Sequence, residues 1–311
     1  MNVTALSFRL LIMLTTGYVF GKAIGLDRAR EAGRALSALV LDLLIPALVI
    51  QGMMEGLKGG VADAVGLFFF GVAFAVADFL IGLLVWHIFG RNLRSTLLRV
   101  TVMFANYAMF GFAVVQHMRG LSGLADYVIF VLPTRFLYYM LPPFLLSRAA
   151  GKMEAGRKDL LKFFCTPPVL CTFVGLFLGL IDIPLPEPVT TSISALSACC
   201  TPIGMILCGV LMSQFPIRSL FKPRYLLIPA LRNMILPAFF LLVGWLLPLP
   251  ARISILPLTY AAMPVSSLLP TYAVTYCGDE EVREISAAIF ISTAAAIITV
   301  PMWMYIASLV L

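Results

Sequence analysis

The chain has 311 residues, of which 61% are hydrophobic and 12% charged, with a formal net charge of +7. A soluble domain carries roughly a quarter charged residues, so this composition excludes an ordinary water-soluble fold. Nucleic acid is not expected as a partner either, because the basic residues fall in short clusters between apolar runs, where membrane topology explains them.

In chain order, apolar stretches of about 20 residues, each enough for a hydrocarbon core of ~30 Å, are predicted near 5–24, 35–54, 64–88, 96–117 and 125–147. A second set follows near 160–181, 189–213, 224–247, 254–276 and 285–309. The expected fold is an all-α polytopic membrane protein of ten spans in the lipid bilayer. The first stretch begins close to Met1 without a basic n-region or a small-residue cleavage site, so it is expected to stay as a helix. Gly17 and Gly21 form a GxxxG in it, as Gly175 and Gly179 do later, a spacing that lets helices approach closely. Leu26-Asp27 followed by Arg28 to Arg34 reads as an amphipathic turn leading into the second span, with Asp27 as N-cap. Gly278-Asp279-Glu280-Glu281 stops the ninth span and starts the tenth, with acids where the macrodipole favours them. The six cysteines, Cys165, Cys171, Cys199, Cys200, Cys208 and Cys277, show no metal-ligand spacing and are expected as buried free thiols.

The chain reads as two related halves. A shift of 158 residues carries Asn106 onto Pro264, Gly17 onto Gly175, Gly21 onto Gly179 and Pro143 onto Pro301, and a shift of 156 carries Pro46 onto Pro202. The longest link, Arg148 to Asp159, separates a first five-helix repeat, residues 1–148, from a second, 159–311. Basic residues give the orientation. Seventeen of the 22 lysines and arginines lie in the links after the odd-numbered spans: Lys22, Arg28, Arg30, Arg34; Arg91, Arg94, Arg99; Arg148, Lys152, Arg157, Lys158, Lys162; Arg218, Lys222, Arg224, Arg232; and Arg283. The other side has Arg9, Lys58, Arg119 and Arg252, and Arg135 lies inside a span. By the positive-inside rule both termini face away from the cytoplasm, and an odd number of spans per half makes the repeats inverted.

Polar residues within the spans point to transport. Bilayer helices tolerate breaks where the freed backbone is buried in protein or lines a cavity, and two corresponding broken segments mark a carrier's binding site. The segment around Asn106, Tyr107 and Gly111 and the segment around Pro264, Ser266 and Ser267 are such a pair, each about ten residues into its span. Half-helix N-termini and the Asn106 amide there suit an anion; the alternative is that Asn106 only repairs a kink. Asp78, deep in the third span, is read either as a proton-coupling carboxylate or as a structural ion pair with Arg135, and both stay open. Arg135 is alternatively a ligand for a substrate carboxylate. Asp42, one turn before Pro46, either lines the pocket, where it is a second coupling candidate, or satisfies the proline break. Gln51 is a further pocket candidate. His87, Gln116 and His117 lie at span ends, where a histidine is either tolerated without a role or shuttles protons. Tyr138, Tyr139, Tyr260 and Tyr272 read as interfacial or packing residues.

Several motifs are similar to those of the auxin efflux carrier family: Gly17-Tyr18 with Gly25-Leu26-Asp27, Leu44-Ile45-Pro46-Ala47-Leu48, Asn106 to Gly111, Ala262-Met263-Pro264, and Tyr276-Cys277-Gly278-Asp279. The resemblance runs nearly end to end. Bacterial members are described as malonate or malate permeases, and plant members export auxin. The resemblance implies two inverted five-helix repeats, a scaffold from spans one, two, six and seven, a transport domain from spans three to five and eight to ten, and broken, crossed spans four and nine. This is the architecture of bile-acid symporters and some sodium/proton antiporters. The chain departs from the family at Ala113, where a proline is usual, and at Leu268, where many members have asparagine; Pro270 is additional. These positions bear on the substrate.

No Walker A, nucleophile-elbow, Rossmann or metal-ligand pattern is present, so an enzyme, a cofactor and a metal are not expected. The reading is a secondary carrier of a small organic anion such as malonate, malate or an auxin-like acid, coupled to H⁺ with Na⁺ left open, in the cell inner membrane and with a homodimer through the scaffold helices as an option. The alternatives are a sodium-coupled anion symporter or a cation/proton exchanger of the same architecture, and a membrane receptor. An exchanger would place two acids where this chain has Asn106 and serines.

Overall fold

A computed structural model describes residues 3–56, 61–151, 167–181, 185–214 and 223–311. Its helices are α1 (Val3–Ile24), α2 (Leu26–Leu39), α3 (Ile45–Gly56), α4 (Val61–Ile88), α5 (Leu93–Met103), α6 (Phe112–Phe130) and α7 (Leu132–Ala149). They continue as α8 (Pro167–Ile181), α9 (Glu187–Ser213), α10 (Pro223–Pro229), α11 (Leu236–Leu246), α12 (Ala251–Ala262), α13 (Leu269–Tyr276) and α14 (Asp279–Val310). Among the described residues five apolar helical stretches are long enough to cross a membrane: Leu26–Met54, Ala64–Ile88, Glu187–Ser213, Leu226–Leu246 and Asp279–Val310. Large apolar side chains such as Phe69, Trp245 and Ile298 are exposed on the outside. In water that surface would be an aggregation liability, whereas hydrocarbon suits it. The architecture is that of an all-helical polytopic membrane protein.

Two of the wide π-helical segments have a visible cause. Val40–Leu44 joins α2 to α3 and precedes Pro46, and Ala230–Ile235 joins α10 to α11 and precedes Pro237. A proline removes the hydrogen bond to the carbonyl four residues back and clashes with it, and widening the helix by a residue relieves both. α5 starts on a capping box, in which Asn92 Oδ1 accepts from the Ser95 N–H at 2.9 Å and Ser95 Oγ accepts from the Asn92 N–H at 3.0 Å. Gly120, with φ 67° and ψ −164°, interrupts α6 where the sequence predicts the link between its fourth and fifth spans.

The predicted fourth and ninth spans are divided. The chain leaves helix after Met103 and again after Ala262, and resumes at Tyr107 and Leu269. Elsewhere the close approaches follow the small residues. A Cβ on Gly17 would strike the Ile206 backbone of α9, one on Gly21 would meet Ser213, and one on Gly209 would strike the Leu14 carbonyl of α1. α1 therefore lies backbone to backbone on α9, while α8 lies on α3, with Gly175 against Ile50 and Met53. α4 packs on α5, α6 and α7, and α13 packs on α7 and α14.

Some local expectations need correction. The N-cap of α2 is Gly25, whose φ of 84° suits glycine, and Asp27 sits in the first turn instead. Cys171, Cys199, Cys200 and Cys277 are free, but Cys199 is exposed on α9 and only Cys200 among these four is buried. Cys165, Lys58, Lys152 to Lys162, Arg218 and Lys222 lie outside the described residues. Two arginines expected in cytoplasmic links are buried: Arg99 in α5, over the Phe79 ring, and Arg232 in the π-helical segment before α11.

Candidate functional site

The two breaks pair with each other. Ala105 and Val265 form an isolated antiparallel bridge, in which the Asn106 N–H donates to the Pro264 carbonyl at 2.8 Å and the Ser266 N–H donates to the Phe104 carbonyl at 3.0 Å. An unwound segment in hydrocarbon leaves donors and acceptors that nothing else would satisfy. Here each break serves the other. Side chains meet two further backbone groups: Ala105 N–H donates to the Tyr260 hydroxyl at 3.4 Å, and Val265 N–H to Ser292 Oγ at 3.0 Å. Ser292 Oγ in turn donates to Asn233 Oδ1 at 2.7 Å.

Arg232 completes this framework. Its Nε donates to the Met263 carbonyl at 3.1 Å and its Nη2 to the Tyr260 carbonyl at 2.9 Å, while Nη1 reaches the carbonyls of Val102 at 2.5 Å and Met103 at 3.4 Å. The residue is fully buried. Hydrogen bonds from a charged donor contribute about 1.5–3 kcal/mol each, so this side chain fastens the ends of α5 and α12 together.

Beside the framework lies a cation with no such partners. Arg135 in α7 is 1% exposed, and its Nε, Nη1 and Nη2 have no hydrogen-bond partner. Its guanidinium carbon stands 5.8 Å from the centre of the Tyr107 ring and 5.7 Å from that of Phe112. Polar groups from the two breaks meet each other and Tyr138, which lies three residues along α7 from Arg135. The Asn106 amide donates to Ser267 Oγ at 3.4 Å, and the Tyr138 and Ser266 hydroxyls are in contact. Tyr107 stacks on Tyr260 at 6.0 Å between ring centres and meets the Tyr138 ring edge-on at 5.6 Å. The Tyr127 hydroxyl, which abuts Gly111, is buried without a hydrogen-bond partner.

Asp78 in α4 is 2% exposed, and one of its carboxylate oxygens has no hydrogen bond. It does not pair with Arg135. Its electrostatic neighbours are Arg232 and Tyr260. Asp42 is exposed in the π-helical segment before α3. Gln51 lines a cavity of about 590 Å³ together with Met54, Thr190 and Ser194, and the paired breaks contribute none of its walls. His87 is exposed beside Arg91, 3.0 Å away. The side chains of Gln116, His117 and Tyr139 lie outside the described residues. Tyr138 and Tyr260 are not interfacial but buried at the paired breaks.

Sequence reasoning missed Arg232, Asn233, Ser292 and Tyr127. The signal for the first two was a polar pair followed by a proline four residues after Asn233, the same spacing as Asp42 to Pro46.

The sequence model of a membrane transport protein family matches residues 3–304, almost the whole chain. The chain belongs to this family, the auxin efflux carriers. It is a membrane transporter. A protein of Methanothermobacter thermautotrophicus described as an uncharacterized transporter is 22% identical over 308 residues, which span 97% of this chain and 98% of that protein. Within this auxin efflux carrier family chain, the departures Ala113 and Leu268 fall in α6 and at the N-cap of α13, the two helices that resume after the breaks.

Proposed function

We propose that this transporter is a secondary active carrier of a small organic anion, a carboxylate such as malonate, malate or an auxin-like acid, coupled to protons. The observation that carries the reading is Arg135, a buried guanidinium whose three nitrogens have no hydrogen bond. Burying a charge without a partner costs several kcal/mol. A carboxylate that slots between Arg135, the Asn106 amide and the hydroxyls of Ser266 and Ser267 offsets that cost, and the faces of Tyr107 and Phe112 flank it. A guanidinium recognises a planar carboxylate with two parallel hydrogen bonds.

In this reading the ten spans form two inverted repeats, residues 1–148 and 159–311, with both termini on the non-cytoplasmic side of the cell inner membrane. Spans one, two, six and seven form a scaffold that also serves a homodimer. Spans three to five and eight to ten move against it, carrying the crossed breaks and their substrate across the bilayer. The backbone contact between α1 and α9 supports a rigid scaffold. Asp78, withdrawn from water and one hydrogen bond short, is the group that takes up and releases the coupled proton.

A thermal-shift screen of the purified protein against mono- and dicarboxylates at two pH values tests the reading. At least one carboxylate is expected to raise the melting temperature of the wild type and to leave Arg135→Gln unmoved. A screen in which no carboxylate stabilises the wild type, while inorganic or organic cations do, would count against it.

A further inference from the structure

The four carbonyls that Arg232 holds share a structural position. Val102 and Met103 end α5, and Tyr260 and Met263 end or follow α12. The last carbonyls of a helix lack intrahelical donors and form the negative end of its macrodipole. Two such ends converge here in a buried place. In carriers built on broken helices, carbonyls of this kind coordinate the coupling cation. The carbonyls of this chain already face a cation, one that belongs to the protein.

We propose that Arg232 is a tethered cation, which fills the position where a carrier of this design would bind Na⁺ and so frees the transporter from any requirement for a metal ion. The inference rests on the carrier reading above and extends it to the coupling ion. A guanidinium suits the task because it presents donors in a fixed planar fork, keeps its charge at physiological pH and is weakly hydrated. Its other neighbours fit the same role. The Tyr260 ring lies 5.2 Å from the guanidinium carbon, and the Asp78 carboxylate is its electrostatic counterpart. Unlike a diffusible ion, the tethered one comes from the segment before α11 and cannot leave during the transport cycle. Arg232 and Arg135 thus divide the work: Arg232 is bonded to backbone carbonyls, and Arg135 has no hydrogen bond.

The test compares wild type, Arg232→Ala and Arg232→Lys in sodium, potassium and choline chloride at equal ionic strength, by melting temperature and by carboxylate uptake into proteoliposomes. The wild type is expected to melt at one temperature in all three salts and to transport equally well. Arg232→Ala is expected to melt several degrees lower and to lose uptake, with both partly restored by Na⁺ or by millimolar guanidinium chloride, neither of which stabilises the wild type. Should the alanine variant yield no folded protein, the salt series on the wild type and on Arg232→Lys decides. The lysine variant, with its point charge, is expected to melt lower without a response to Na⁺. A wild type that melts higher or transports faster in Na⁺ than in choline would overturn the proposal, as would an Arg232→Ala protein as stable as the wild type in choline. The melting series needs no substrate, so it stays decisive even if no carboxylate binds.

Discussion

The backbone N–H of Asn106 donates to the carbonyl of Pro264 at 2.8 Å, joining residues that stand 158 positions apart, the same spacing as Gly17 to Gly175 and Gly21 to Gly179. The two breaks are therefore each other's hydrogen-bond partners. Because this pairing uses backbone groups, it leaves the Asn106 side chain free for a different task.

Asn106→Ala keeps the backbone pairing and deletes only the amide that donates to Ser267 Oγ. Its melting temperature should stay within about 3 °C of wild type, while carboxylate uptake falls by more than about tenfold, or ~1.4 kcal/mol. Uptake at the wild-type rate in a well-folded Asn106→Ala protein would take the amide out of the site.

Asp78→Asn separates coupling from binding. The amide has the size and polarity of the carboxylate but stays neutral, so it cannot carry a proton. Carboxylate binding should persist with exchange or slow downhill flux, while accumulation driven by a proton gradient disappears. If the variant accumulates substrate with the pH dependence of the wild type, the carboxylate is structural, and Asp42 becomes the coupling candidate.

Topology is open to a labelling experiment in a background with the native cysteines replaced by serine. Ala251 and Arg91 are both exposed at opposite expected faces. In intact right-side-out vesicles Ala251→Cys should react with an impermeant maleimide, and Arg91→Cys should react only after permeabilisation. The reverse pattern would invert the orientation.

Much of the frame was legible in the sequence because its signals are local. A polar residue or proline in mid-run announces a break, so Asn106 and Pro264 located both divided spans, and Gly17 and Gly21 announced a close helix contact that the Ile206 backbone and Ser213 supply. Arg232 was hidden by a rule that works on average. Counting basic residues near span ends assigns each one to a loop, and nothing in the sequence marks an arginine whose partners are the carbonyls of Val102, Met103, Tyr260 and Met263. Arg135 presented the opposite difficulty. Its charge within a span invited pairing with Asp78, but the electrostatic neighbour of that carboxylate is Arg232, and only the three-dimensional arrangement shows Arg135 to be without a hydrogen bond.

Whether Arg135 receives the substrate anion is measured most directly by proton-driven uptake of the best-binding carboxylate into proteoliposomes by wild type, Arg135→Lys and Arg135→Gln. The wild type should accumulate substrate and release it when a protonophore collapses the gradient. Arg135→Lys, which keeps the charge but loses the planar fork, should retain weak uptake with a raised KM, and Arg135→Gln should show none although it remains folded. Accumulation by Arg135→Gln with the KM and rate of the wild type would contradict the account.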